Sequence, residues 1–190
     1  MKYYIADTHF GHENILKLDN RPWDNLEDME ADMISRWNAR VTDSDDVYIL
    51  GDFCWRSKAH WIRLLTSLKG RKHIVLGNHD LKEFPQKILE LLADEPQKLL
   101  GVIDGGHHVV LCHYPILAYW HDNQQDSVML YGHVHNTVED EAVRAGVKAT
   151  KEYIKENKPD YVYYGNLHNV WCGYYDYAPA TLEEILKNKY

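Results

Sequence analysis

HIVLGNHD, residues 73–80, carries the apolar run Ile74–Leu76 into a glycine and then presents an amide, an imidazole and a carboxylate in succession. Four other stretches follow the same grammar: KYYIADTH (2–9), DVYILGD (46–52), HHVVLCHYP (107–115) and VMLYGHVH (128–135). Each is a short, nearly continuous apolar run of the kind a strand buried on both faces requires, and each ends in polar residues with no packing role. Helical spacing separates the early runs. Leu26 to Val41 places Met29, Met33, Ile34 and Trp37 on one face, and Ala59 to Leu68 repeats the pattern until Lys69-Gly70, where Gly70 is expected as the C′ residue. This alternation predicts an α/β domain.

The middle of the chain departs from it. Two runs between Lys98 and His113 are joined through Asp104-Gly105-Gly106, a hairpin signal. Asp140 to Asn157 is expected to be helical with a weak point at Gly146. Tyr161–Tyr164 and Val170–Tyr175 read as another pair of strands, and Thr181–Lys189 as a terminal helix with Thr181 as N-cap and Glu184 completing a capping box. The sheet is therefore expected to be mixed, or split into two sheets packed face to face with helices outside.

Composition sets the frame. A chain of 190 residues suits one well-buried domain, 1–190. The formal charge of −8 disfavours long nucleic acid, which needs clustered basic residues, but leaves room for a small phosphorylated substrate if metal ions supply local positive charge. The opening MKYYIADTHFGHEN meets polar groups too early for a signal peptide, and no apolar run reaches the length of a membrane span. Three cysteines, Cys54, Cys112 and Cys172, include no CxxC pair. The expectation is a cytoplasmic protein with free thiols and no structural zinc knot.

In open α/β folds the carboxyl ends of neighbouring strands converge on one crevice. Were the five runs neighbours, Asp7, His9, Asp52, Asn78, His113, His133 and His135 would meet there. Carboxylate, amide and imidazole without thiolate suit Mn²⁺, Fe, Zn²⁺ or Mg²⁺, and seven such groups are too many for one ion with an open position. Two ions sharing a carboxylate fit better, roughly 3.5–4 Å apart as in centres that hydrolyse phosphate esters.

The set Asp7-x-His9, Gly51-Asp52, Gly77-Asn78-His79-Asp80, His113 and Gly132-His133-Val134-His135 resembles, in that order, the signature of the calcineurin-like metallophosphoesterases. The text DTHFGHENI, and NRPW followed by a helix ending in RWN, is similar to a small bacterial and phage branch of that superfamily. The resemblance implies a four-layer α/β/β/α sandwich with two mixed sheets. It further implies that Asp7, His9, Asp52 and His135 hold one divalent ion and Asp52, Asn78, His113 and His133 a second. Mn²⁺ comes first among the metals, with Fe, Zn²⁺, Ni²⁺ and Mg²⁺ as substitutes. A bridging hydroxide would attack phosphorus, His79 would protonate the leaving oxygen, and Asp80 would orient the His79 ring. The implied activity is phosphodiesterase or phosphatase on small, nucleotide-like substrates. A nuclease working with a basic partner and an inactive metal-binding interaction module are the alternatives.

Taken singly, each residue has a plainer reading: Asp after a strand caps or turns, Asn after Gly tolerates a tight turn, and a strand-end His is usually a surface residue. Their joint order is what favours a centre. His12 and Asn14 either touch the phosphate or cap the following helix. Arg56 stands four residues after Asp52, the offset of a phosphate-binding arginine in calcineurin-type phosphatases, although GDFCWRS lacks the second acid and glycine of that motif. Cys112 should face a core, His107 and His108 solvent. YPILAYWH (114–121) and the tyrosines from Tyr161 to Tyr177 are read as core and lid rather than a base-stacking pocket. Asn169-Val170-Trp171-Cys172-Gly173 departs from the N-V-G-V-D segment of the similar branch.

Overall fold

The computed structural model describes residues 1–188. Its strands are β1 (Lys2–Ile5), β2 (Asp46–Leu50), β3 (Arg71–Val75), β4 (Leu99–Asp104), β5 (His107–Cys112), β6 (Ser127–Tyr131), β7 (Leu167–Asn169) and β8 (Ala180–Thr181). The helices are α1 (Ile15–Leu18), α2 (Leu26–Arg40), α3 (Lys58–Ser67), α4 (Gln86–Leu89), α5 (Val138–Asn157) and α6 (Leu182–Lys187). One sheet runs β3-β2-β1-β8, with β1, β2 and β3 parallel and β8 antiparallel. The other runs β4-β5-β6-β7, with β4 antiparallel to β5 and the remaining pairs parallel. Both sheets are mixed, as expected.

Strand alternation builds the layers. Tyr4, Tyr48, Leu50 and Val75 of the first sheet pack with Val109, Leu111, Val128 and Leu130 of the second. The opposite face of the first sheet, Tyr3, Ile5, Val47, Ile49 and Ile74, is covered by Met29, Met33 and Trp37 of α2 and by Trp61, Leu64 and Leu65 of α3. Val110, Cys112, Met129 and Tyr131 turn outward from the second sheet onto Tyr119, Val134 and Val143, the last from α5. Cys112 is thus a core thiol. The order is helix, sheet, sheet, helix.

The capping box of α6 is present in both directions, and α5, capped by Thr137, starts at Val138, two residues before the expected helix. Lys189, the expected last helical residue, lies outside the described residues. Helix α5 runs unbroken through Gly146. Leu68, not Lys69, is the C-cap of α3, so Gly70 is C″ and turns the chain into β3 at φ 89°.

The expected strands at Tyr161–Tyr164 and Val170–Tyr175 are not strands. Tyr161 and Tyr163 send their hydroxyls to Asp122 and the Leu117 carbonyl, both at 2.6 Å, tying an irregular segment to the 114–122 loop. Strand β7 takes the sheet edge a few residues later, and Cys172–Tyr175 is a 3-10 turn. His107 and His108 are half-buried rather than solvent-facing.

Candidate metal centre

The loops that follow β1, β2, β3, β5 and β6 meet at one end of the two sheets. Asp7 N donates to Gly51 O at 3.1 Å, His9 N to Asp52 O at 2.9 Å and Gly132 N to His113 O at 2.9 Å, so adjacent strand ends remain zipped beyond the sheets. Asp7, His9, Asp52, His133 and His135 all adopt left-handed backbone, with φ between 45° and 71°. Each such residue costs on the order of 1–3 kcal/mol, a strain that surrounding structure must offset and that concentrates at functional sites. The motif glycines make room for it. A Cβ on Gly132 would lie 2.5 Å from Ala6 Cβ and from Asp7 Oδ2, and one on Gly77 would overlap the Asp52 carboxylate.

Two groups of donor atoms lie within 4.8 Å of one another: Asp7, His9 and His135, and Asp7, Asp52 and His113. Asp7 is common to both groups, and Asp52 Oδ2 of the second also reaches toward the first, 3.7 Å from His9 Nε2 and 3.6 Å from His113 Nε2. His113 Nδ1 donates to the Leu50 carbonyl at 2.8 Å, which fixes the tautomer. Nε2 of that ring then faces Asn78 Oδ1 at 3.0 Å. With the carboxylate of Asp52 beside them, the imidazole nitrogen and the amide oxygen make a donor set suited to a divalent ion. His135 Nε2 is 3.3 Å from His9 Nε2 and 3.5 Å from Asp7 Oδ1. Asp7, His9, Asp52, His113 and His135 thus fit a metal-binding centre, with Asn78 Oδ1 beside His113. His133 joins it by its backbone N–H, bonded to both Asp7 oxygens, and packs its ring on His113 and Tyr114.

Burial shapes the protonation of the rings. It lowers the pKa of His9, helped by His135 and Arg21, and lowers that of His133, helped by His113. Burial works the same way on His135, but hydrogen bonds to Asp19 and Asp7 outweigh it and push that ring up to about 9.

Asp19 and Arg21 were not among the expected site residues, yet they organise the first loop. Arg21 is buried, binds Asp19 Oδ2 through Nε and Nη2 at 3.1 and 2.9 Å, and donates to the Asp7 and Thr8 carbonyls at 2.8 Å each. Asp19 Oδ1 in turn accepts from His135 Nδ1 at 2.7 Å. The signal lay in DNRPW, residues 19–23: an arginine two residues from an acid, in the short link between two helices.

Asp80 does something other than orient His79. Its Oδ2 accepts from Asp52 N at 3.0 Å and Gly77 N at 2.8 Å, and its Oδ1 from Phe53 N at 2.9 Å. It pins the loop after β3 to the loop after β2. Burial raises its pKa to about 6 against those backbone donors. His79, 40% exposed at its side chain, has Nε2 4.0 Å from Asp52 Oδ2, and its backbone N donates to Asp52 Oδ1 at 2.9 Å.

The weaker substrate candidates separate. His12 stacks on Trp55 with ring centroids 4.3 Å apart, and its buried Nδ1 has no hydrogen-bond partner among the described residues. Asn14 holds the N-cap position of α1, exposed and without a side-chain cap bond. Arg56 donates from Nε to Gly11 O at 3.0 Å and lines a cavity of 740 Å³ with Glu13, Glu30, His60 and Arg63, a space whose walls include none of the expected ligands. Among the described residues no helix is long and apolar enough to cross a membrane.

The same fold is found in a solved structure from Aquifex aeolicus, described as the protein of unknown function AQ665, with a TM-score of 0.68, 26% identity and 97% of each chain covered. The uncharacterized protein MJ1445 of Methanocaldococcus jannaschii is 36% identical over 135 residues, 70% of this chain and 68% of that one. The Gene 66 protein of Mycobacterium phage L5 is 24% identical over 160 residues, 70% of this chain and 77% of that one. The model of the calcineurin-like phosphoesterase family matches residues 3–170, a span that contains every residue of the centre, and the chain belongs to that family.

Proposed function

We propose that this chain is a dinuclear, metal-dependent hydrolase of phosphoester bonds acting on small, nucleotide-like phosphodiesters or phosphomonoesters. The observation that supports the reading is that Asp52 Oδ2 lies at nearly equal distance, 3.7 and 3.6 Å, from His9 Nε2 and His113 Nε2, one nitrogen of each donor group. Asp7, His9, Asp52 and His135 would hold one divalent ion, and Asp52, Asn78, His113 and His133 the other. When bound, the ions supply an activated water and offset the charge that develops on the phosphoryl oxygens.

The chain's own groups do the rest. Asp80 and Arg21 hold the strained loops that set the ligand spacing, and Asp19 fixes the His135 ring. His79 projects at the exposed edge of the centre, where it protonates the leaving oxygen; this is the group that makes a poor alkoxide leaving group, and hence a diester, a suitable substrate. The mixed O and N donors accept Mn²⁺, Fe, Zn²⁺, Ni²⁺ or Mg²⁺, and Mn²⁺, the first choice of the family resemblance, is the proposed ion, in a cytoplasmic setting. Mn²⁺-loaded protein should carry close to two ions per chain and hydrolyse bis-p-nitrophenyl phosphate, with Asp52→Asn losing both. Fewer than about one ion per chain together with no hydrolysis would overturn the reading.

A further inference from the structure

A cavity of 470 Å³ opens beside the centre, within the range of small-molecule sites. It is lined by Gly77, Asn78 and Asp80 on one side, Cys112 and Tyr114 on another, and by Lys82 and Lys98. The position of Lys98 is set by backbone. Gln97 N donates to Ile74 O at 3.0 Å and Gln97 O accepts from Leu76 N at 2.7 Å, while Leu99 pairs with Cys112. Lys98 therefore sits on a crosspiece between the two sheets, held next to the chain that leads into Asn78 and the chain that leads into His113.

The charge of this cavity is opposite to that of the molecule. The chain has 29 acidic against 21 basic side chains, yet the sole acid in the cavity wall is Asp80, whose oxygens already accept three backbone N–H groups. Both lysines are exposed, and among the described residues neither ammonium has a hydrogen-bond or ion-pair partner. Tyr114 links the cavity to the centre, its hydroxyl 3.4 Å from Asn78 Oδ1.

We propose that this cavity is a subsite for a second phosphoryl group carried by the substrate, bound by Lys82 and Lys98 while the scissile phosphoester lies at the centre. The inference rests on the hydrolase reading and narrows it to substrates with two separated phosphate groups. Two ammonium groups on flexible stems suit a mobile dianion, which they meet as point charges rather than in a fixed fork. Asn78 and Tyr114 lie between the two positions, so a bridging ligand would run across them.

The test uses α,ω-alkane bisphosphonates of increasing chain length and their matched alkyl monophosphonates, measured on Mn²⁺-loaded full-length protein by calorimetry and as inhibitors of bis-p-nitrophenyl phosphate hydrolysis. At least one bisphosphonate should bind about tenfold more tightly than its monophosphonate, the scale of a charge-assisted hydrogen bond. In Lys82→Ala/Lys98→Ala that preference should shrink to about twofold or less, while kcat and KM for bis-p-nitrophenyl phosphate, which has no second phosphate, stay close to the parent values. Lys98→Arg should retain the preference. No preference in the parent protein, or a preference that survives the double substitution, overturns the subsite. Calorimetry reads the subsite without turnover, so a protein that binds bisphosphonates selectively but hydrolyses nothing would refute the hydrolase reading alone.

Discussion

Asp19 accepts a 2.7 Å hydrogen bond from His135 Nδ1 across 116 residues of sequence, and so fixes which nitrogen of that ring faces Asp7 and His9. The carboxylate is held from its other oxygen by Arg21, which also clamps the Asp7 and Thr8 carbonyls. A partner that orients a metal-facing imidazole typically accounts for about 10–100-fold in metal affinity. Asp19→Asn should therefore weaken Mn²⁺ binding by that factor at one of two sites in a calorimetric titration, with the circular dichroism spectrum unchanged. Parent-like affinity in a folded variant would remove Asp19 from the account.

The two glycines Gly132 and Gly146 should respond in opposite directions to alanine. At Gly132 the new methyl meets Ala6 and Asp7 at 2.5 Å, and overpacking of that kind costs about 1–3 kcal/mol. At Gly146 it meets only Leu117 Cδ1 at 3.9 Å inside α5, where alanine is favoured over glycine by about 0.5–1 kcal/mol. Urea unfolding should show Gly132→Ala less stable than the parent and Gly146→Ala more stable, with activity lost only in the first.

His79→Asn removes the proposed proton donor while Asp52 and its backbone contacts stay in place. Turnover of alkyl esters should fall by about 10²–10⁴, with much less loss on nitrophenyl esters, whose leaving group needs little protonation. Equal losses on both would show that His79 acts in another way.

His168 on β7 gives the fold a pH dependence separate from the centre. Burial lowers its pKa from 6.5 to about 4 in the folded chain. The unfolded chain then binds a proton that the folded one does not, so stability is full above pH 6.5 and falls as pH drops toward 4. His168→Gln should flatten the stability profile across that window in urea titrations at stepped pH; an unchanged slope would count against it.

Much of this was legible in the sequence because strand-end chemistry is local. The runs ending at Asp7, Asp52, Asn78, His113 and His135 each announce a buried strand and its polar terminus, and the parallel order of β1, β2 and β3 follows from the helices between them. The Asp104-Gly105-Gly106 hairpin and the Thr181 cap are likewise short-range features. What was not legible acts through space. Asp80 follows His79 in sequence, which suggested a partnership, but its side chain turns back to three amides of two loops. Asp19 acquires its role only once the chain after β6 brings His135 to it. Tyr161 to Tyr164 has the composition of a strand, yet its hydroxyls find partners in the 114–122 loop and no ladder forms.

Anomalous diffraction from Mn²⁺-loaded crystals tests the central claim most directly. Two peaks roughly 3.5–4 Å apart, one toward His9 and His135 and one toward Asn78 and His113, with the Asp52 carboxylate between them, is the predicted result. A single peak, or two that do not share Asp52, would contradict it.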